Sequence, residues 1–252
     1  MSFFSVDNLS INFGGIKAVD GVTFDVGKGE VFTIIGPNGA GKTTIFNLVS
    51  RIYQPTGGKL VFDGTDITNV PPHRIAALGI ARTFQNIELF EHATLLQNLL
   101  LARHAHKKSN FLSELLFLPS VRAMELEHRE AVEKAIDFLD LQQYRDSFIV
   151  NLPYGVRKVT ELARALCTDP KLLLLDEPSS GLNVEETEDM AFWIQDIRNL
   201  LGITVLMVEH DMSLVSAVSD RVLALNYGRP LAMGTPGEVQ SHPEVIRAYL
   251  GG

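Results

Sequence analysis

The chain carries one cysteine, Cys167, in 252 residues. A single thiol forms no internal disulfide, which fits a reducing compartment. The sequence also lacks an unbroken apolar stretch of the roughly 20 residues that span a bilayer. Its oiliest run, Leu172 to Leu175, is closed off by Lys171 and Asp176. Any membrane association is therefore expected to pass through partner proteins. The opening MSFFSVDNLS has no basic-then-apolar pattern of a secretory leader, so a cytoplasmic location is expected. Positive charge is scarce as well: the net charge is −8 and the nearest approach to a basic patch, His104 to Lys108, is short. Nucleic-acid binding wants clustered Lys and Arg, so nucleic acid is not expected as a partner. The chain shows no internal repeat and no low-complexity linker.

What is present is enough apolar surface, 46% of residues, for a sizeable core. Residues 1–35 read as short antiparallel strands, with Val22, Phe24 and Val26 on one side of an alternating run. VFTII, residues 31–35, is instead apolar throughout and leads through a glycine-rich loop into the helical segment IFNLVS. From Asn86 to about Asn151 the spacing turns helical, with Val132, Ala135, Ile136 and Leu139 on one face. Strand-like runs resume at Leu172–Leu175 and at ITVLMV, residues 203–208. Between them lies a helix striped by Met190, Trp193, Ile194, Ile197 and Leu201. Strand, helix, strand implies a parallel sheet. The tail gives two short strands, then the capping box Thr235-Pro236-Gly237-Glu238 and a last helix ending near Leu250.

Two segments carry chemistry. Gly36, Pro37, Asn38, Gly39, Ala40, Gly41, Lys42 and Thr43, followed by Thr44, fit the phosphate-loop pattern between a buried strand and a helix. Its glycines let successive N–H groups turn inward, the helix start adds positive dipole, and Lys42 reaches the β and γ phosphates. Thr43 offers its hydroxyl to Mg²⁺. A nucleoside triphosphate is thus the expected ligand. The second segment is LLLLDEPSSGLN, residues 172–183, where a buried strand ends in two adjacent acids. Asp176 would serve the metal, directly or through one of the ion's own ligands, and Glu177 would orient and deprotonate the attacking water. No Asn-Lys-x-Asp guanine reader follows a strand, which argues against a GTPase.

GPNGAGKTT, TFQN, YGVRKVTELARAL, LLLLDEPSSGLN and VEHDM occur in the order seen in ATPase subunits of ABC transporters, and the resemblance covers essentially the whole chain. FGGIKAVDGV, ARTFQNIELF, the insert around residues 104–140 and the ending VIRAYLGG resemble the branched-chain amino acid importer ATPases in particular. The resemblance implies a P-loop NTPase fold of the α/β class, with a mostly parallel sheet core, an antiparallel β subdomain and an inserted helical subdomain. One ABC ATPase domain, residues 1–252, is then divided into a RecA-like core with antiparallel strands, residues 1–85 and 167–252, and a helical subdomain, residues 86–166. It also implies ATP and Mg²⁺ as cofactors. Phe13 matches the aromatic that stacks on adenine, with Val19 beside it. Gln85 matches the glutamine that contacts Mg²⁺ and water and couples to the membrane domain, and His210 the switch histidine at the γ-phosphate. The residues alone leave Phe13 open between base stacking and core packing. They likewise leave His210 open between a catalytic and a structural or surface role. His104 and His106 lie two apart, so a helix would point them apart, and no metal is assigned to them.

The signature segment departs from the family pattern: Leu-Ser-Gly-Gly-Gln is replaced by Leu152-Pro153-Tyr154-Gly155-Val156. Pro153 has neither the hydroxyl nor the N–H of the serine it replaces. The resemblance implies that Tyr154 and Gly155 act in trans, facing the phosphate loop of a second ATPase subunit, of the same or a different chain, across a nucleotide sandwich. Ser180-Gly181-Leu182-Asn183 would lie across that interface. Val156, Val159, Leu162, Ala163 and Leu166 form a stripe that reads as packing. The expected function is an ATP-hydrolysing motor on the cytoplasmic face of the inner membrane. It would drive integral permease subunits of an importer, for branched-chain or related amino acids, without touching the cargo. Other readings are the ATPase of another ABC system, such as lipopolysaccharide export, and a weakly hydrolysing regulatory subunit. A soluble ABC ATPase of translation or repair would carry two cassettes or long coiled coils, absent here.

Overall fold

The computed structural model describes residues 2–103 and 119–250. The basic patch His104–Lys108, the His104 and His106 pair, the insert's SELLFLP stretch up to residue 118 and the closing Gly251-Gly252 lie outside the described residues. The chain forms two compact units, one of residues up to Gln85 and from Lys171 onward, the other of Asn86–Pro170.

In the first unit, β1 (Phe4–Phe13) and β2 (Ile16–Val26) are long and alternate in burial. Val19, Val22, Phe24 and Val26 are all turned inward. With β4 (Gly57–Phe62) and β5 (Thr65–Asp66) they make an antiparallel sheet ordered β2-β1-β4-β5. β3 (Val31–Ile35) is buried at every position, as are β7 (Leu172–Asp176) and β8 (Thr204–Val208). Strands with both faces covered lose the polar alternation of half-exposed ones, hence their unbroken apolar runs. They belong to a second sheet, ordered β10-β9-β3-β8-β7-β6, with β6 at Ile80–Arg82, β9 at Arg221–Asn226 and β10 at Arg229–Gly234. Its pairs are parallel except β9 with β10, which are antiparallel. One apolar cluster joins side chains of both sheets, including a stacked pair, Phe24 and Phe32, with ring centres 5.1 Å apart.

The helices of this unit follow their caps. α1 (Lys42–Val49) begins directly on the glycine-rich loop, and α2 (Pro72–Ile75) is a single turn with proline at its start. Asn183 and Glu186 exchange hydrogen bonds in a capping box at the start of α6 (Val184–Asn199). Met190, Ile194 and Ile197 are its buried stripe; Trp193 is half-buried, and Leu201 lies beyond the helix end and is exposed. Leu201 therefore does not belong to the stripe expected of it, because the helix stops before the next inward position. α7 (Met212–Val218) is capped by Asp211, and α8 (Pro236–Gln240) by the Thr235 and Glu238 box; α9 is Pro243–Leu250.

The second unit is helical among its described residues: α3 (Leu95–Ala102), α4 (Pro119–Phe138) and α5 (Tyr154–Leu166), which touch one another pairwise. Val132, Ala135, Ile136 and Leu139 are buried, as the spacing predicts, together with Leu99 and Leu162. The fully buried Asn98 holds the approach to α3 by bonding both the N–H and the carbonyl of Phe90. Glu161 on α5 accepts from the Glu88 N–H at 2.8 Å, and Arg164 donates to the Glu88 carbonyl. Arg103 donates to the Cys167 carbonyl and to Asp169, so this unit runs past the end of α5 to Pro170.

Cys167 is 2% exposed, and burial pushes its thiol up to about 12. An aromatic disulfide reagent is expected to leave the native chain unlabelled over hours and to label it in denaturant. Rapid labelling under native conditions would contradict this packing.

Candidate nucleotide site

The loop that follows β3 is shaped by two glycines that no other residue replaces. A Cβ on Gly36 would sit 2.4 Å from the Leu225 carbonyl oxygen. One on Gly41 would sit 2.6 Å from the Ala18 oxygen, and Gly41 is in the left-handed region at φ 101°. Gly41 caps α1, so the free N–H groups of the helix start face the loop. Lys42, the first residue of α1, is 6% exposed and its Nζ donates to the carbonyls of Gly36 (2.7 Å) and Pro37 (3.1 Å). Burial lowers its pKa, and the charges of Glu177, Asp176 and Glu209 oppose that shift.

A cavity of about 420 Å³ opens over this loop, of a size that admits a nucleotide. Its wall is formed by Ile16, Lys17, Ala18, the loop and helix start from Asn38 to Thr44, Gln85, Glu177 and Tyr227. The loop, Gln85 and Glu177 are thus brought together, although Asn38 and Glu177 lie far apart in sequence. Glu177 sits at φ 49°, a left-handed conformation that costs about 1–3 kcal/mol for a residue with a Cβ. Its N–H donates to the Val208 carbonyl at 2.9 Å, while its Oε2 accepts from Gln85 Nε2 at 2.9 Å. His210 Nδ1 lies 3.9 Å from the same oxygen, and the imidazole is half exposed.

Asp176 is buried at the end of β7, and one of its oxygens is fully engaged: Arg82 Nη2 reaches Oδ2 at 2.6 Å. Arg82 also donates to Asn47 Oδ1 (2.7 Å) on α1 and to Ser50 Oγ (2.9 Å) at the C-terminal cap of α1, and its guanidinium lies over the Phe46 and Phe84 rings. It therefore ties the helix that starts at the phosphate loop to the strand that ends at the acids. Asp176 Oδ1 is buried with no hydrogen-bond partner among the described residues. A buried carboxylate oxygen left without a donor is costly unless a further ligand satisfies it.

The remaining expected residues fall elsewhere. Phe13 is 43% exposed, which removes the core reading, and packs edge-on against Tyr53 with ring centres 5.2 Å apart. Val19 is fully buried in the apolar cluster, behind the stretch Ile16–Ala18 that forms the cavity wall. In the helical unit, Pro153 sits at the start of α5 and gives it no side-chain cap; Tyr154 is exposed, Gly155 buried and Val156 half-buried. Sequence reasoning missed Arg82 and Tyr227. Arg82 is a lone arginine in a short strand, with no spacing that announces a partner. Tyr227 occupies an Asn-Tyr-Gly hairpin turn whose backbone is fastened to the loop by Gly228 N–H on the Ala40 carbonyl, 2.9 Å.

Comparison with known proteins follows the same outline. Residues 19–180 match the ABC transporter family, and residues 229–252 match the branched-chain amino acid ATP-binding cassette transporter family. The chain is 44% identical to the high-affinity branched-chain amino acid transport ATP-binding protein BraF of Pseudomonas aeruginosa, covering 98% of this chain and 96% of that protein. It is 41% identical to the corresponding protein LivG of Escherichia coli, covering 98% and 97%. Among solved structures, an ATP-binding cassette of an ABC transporter in its ADP conformation superposes with a TM-score of 0.86 at 31% identity, over 100% of both chains. With the phosphate loop and the acid-terminated strand meeting at one cavity and these relatives matching it end to end, the chain belongs to the ABC transporter family as one of its ATP-hydrolysing cassette subunits.

Proposed function

We propose that this chain is the motor subunit of an importer for branched-chain or related amino acids, hydrolysing ATP to drive membrane permeases. The observation that carries the reading is the single cavity shared by the phosphate loop, Gln85 and Glu177. On this reading the triphosphate lies along residues Gly36–Thr43. Lys42, now turned onto the Gly36 and Pro37 carbonyls, exchanges those contacts for β and γ phosphate oxygens. Thr44, next on α1, extends the phosphate contacts. Glu177 takes the proton of the attacking water, with Gln85 holding its Oε2 and His210, beside the same oxygen, meeting the γ-phosphate.

The oxygen donors present suit Mg²⁺. Thr43 offers a hydroxyl, Gln85 an amide oxygen and Asp176 the buried Oδ1 that has no other partner among the described residues. A hard, six-coordinate ion that keeps several waters and phosphate oxygens wants such a sparse set rather than a closed protein cage. Bound there, the ion would neutralise charge developing on the phosphates.

Phe13, exposed near the strand end, is the aromatic for adenine, with Val19 beside it, buried next to the cavity wall at Ile16–Ala18. Tyr154, exposed at the start of α5, and Gly155, buried beside it, contribute in trans to the nucleotide of a second ATPase subunit. A dimer of an ATP-binding cassette with ADP and phosphate has been solved for a protein 21% identical to this chain, a likeness of fold. No helix among the described residues is long and apolar enough to cross a membrane, so attachment to the cytoplasmic face would run through the permeases. The amino acid cargo is taken from the names of the relatives and would not touch this subunit.

Lys42→Ala is expected to abolish measurable ATPase activity and weaken nucleotide binding, read by a fluorescent ATP analogue. Glu177→Gln is expected to bind ATP near normally while turnover falls about a hundred- to ten-thousand-fold. Turnover persisting in the second variant would remove Glu177 as the base; tight binding without turnover in the unaltered chain would favour a regulatory subunit. Co-purified with its permeases in vesicles, the complex is expected to raise its ATPase rate with leucine or isoleucine and a binding protein. Indifference to both would contradict the cargo assignment.

A further inference from the structure

Glu209 is the most deeply buried carboxylate near the site, 0% exposed, and sequence patterning gave it no role. It lies between β8 and the switch residue His210, and its own N–H donates to the Ile34 carbonyl at 3.2 Å, on the strand that carries the phosphate loop. Four donors converge on its two oxygens. Oε1 accepts from the Ser179 N–H (2.9 Å) and the Ser179 hydroxyl (2.6 Å). Oε2 accepts from the N–H groups of His210 (2.7 Å) and Asp211 (3.1 Å).

A carboxylate has about four lone-pair directions, and all four are taken here. No neutral side chain of this size fills that role. Glutamine keeps one oxygen and would turn an NH₂ onto two of the four donors. Burying a charge is costly unless every direction is paired, and the pairing found here connects two stretches 30 residues apart. On one side is Ser179, which leads into Ser180-Gly181-Leu182-Asn183 and the capped start of α6. On the other are His210, whose Nδ1 lies 3.7 Å from Oε2 and 3.9 Å from Glu177, and Asp211, the cap of α7.

We propose that Glu209 is a positioning residue that locks the turn after Glu177 to the backbone of His210, so that the segment Ser179–Asn183 and the histidine move as one piece. The inference rests on the nucleotide reading of the site. A displacement of Ser179–Asn183 on partner docking would then be carried to His210, and ATP contact at His210 carried back, as coupling between two sites requires. The link is short and made of charge-assisted hydrogen bonds, which are stiffer and more directional than packing.

The test is ATP turnover, ATP dissociation constant and melting temperature of the full chain, unaltered and as Glu209→Gln. The variant is expected to hold its dissociation constant within about twofold while kcat falls about tenfold to a hundredfold, the size of effect that a small misplacement of a catalytic group produces. Ser179→Ala removes one donor and leaves the carboxylate in place, so it tests the link even if Glu209→Gln does not fold. It is expected to lower kcat about three- to tenfold at unchanged affinity, and to add little to Glu209→Gln where both fold, since the two changes cut the same link. Unchanged kcat in folded Glu209→Gln, or in Ser179→Ala if the first is unfolded, overturns the proposal. So does a full additive loss in the double variant, or a loss confined to affinity. An unaltered chain that neither binds nor hydrolyses ATP would instead overturn the nucleotide reading on which the proposal stands.

Discussion

The arrangement depends on the parallel register of β3, β8 and β7. Val208 pairs with Ile34 on one side and with Asp176 on the other, so one residue at the end of β8 fixes the height of both neighbours. Because the strands are parallel, their carboxyl ends emerge on the same edge: the phosphate loop from β3, the two acids from β7, Glu209 and His210 from β8. The acid strand is not the immediate neighbour of the loop strand, since β8 lies between them. That intervening strand gives the site its third set of residues. In open α/β sheets ligands gather at this edge, and here the groups that would bind phosphate and activate water reach it from separate strands.

Local chemistry then tightens what the sheet aligns. Arg82 clamps α1 to Asp176 through a nearly buried ion pair, 7% and 2% exposed at the two side chains. Removing one partner of such a pair strands a buried charge, so the clamp favours a single placement of the phosphate-loop helix relative to β7. Glu177 stays in its left-handed conformation because its N–H is held by the Val208 carbonyl. Lys42 faces three carboxylates, Glu177, Asp176 and Glu209, whose attraction opposes its desolvation. Charge at the site is thus poised for a ligand that is itself strongly anionic and brings a cation.

Much of this was legible in the sequence where local rules act alone. The phosphate loop, the fully apolar strands, the capping box at Thr235 and the helical stripe through Val132 and Ile136 depend on neighbours in the chain, and each appears as the pattern predicts. What escaped depends on partners far away. Arg82 meets Asp176 across 94 residues, and Glu209 meets Ser179 across 30, and neither pairing leaves a spacing to read. Phe13 alone reads either way because an aromatic in an alternating strand is usually buried; it is exposed at the hairpin end, where β1 has run past its last pairing with β4 and keeps only β2. Leu201 falls outside its stripe because α6 ends at Asn199, the kind of detail that helix termini decide.

The central claim is that the loop and the acidic strand end share one triphosphate, and a structure of the Glu177→Gln chain with ATP and Mg²⁺ tests it most directly. The account expects the β and γ phosphates against the N–H groups of residues 36–43 and Lys42 Nζ, with the metal beside Thr43 and Asp176 and the side chains at 177 and 210 turned to the γ-phosphate. Nucleotide bound away from that loop, or bound there with residue 177 beyond the reach of a water on the γ-phosphate, would contradict it.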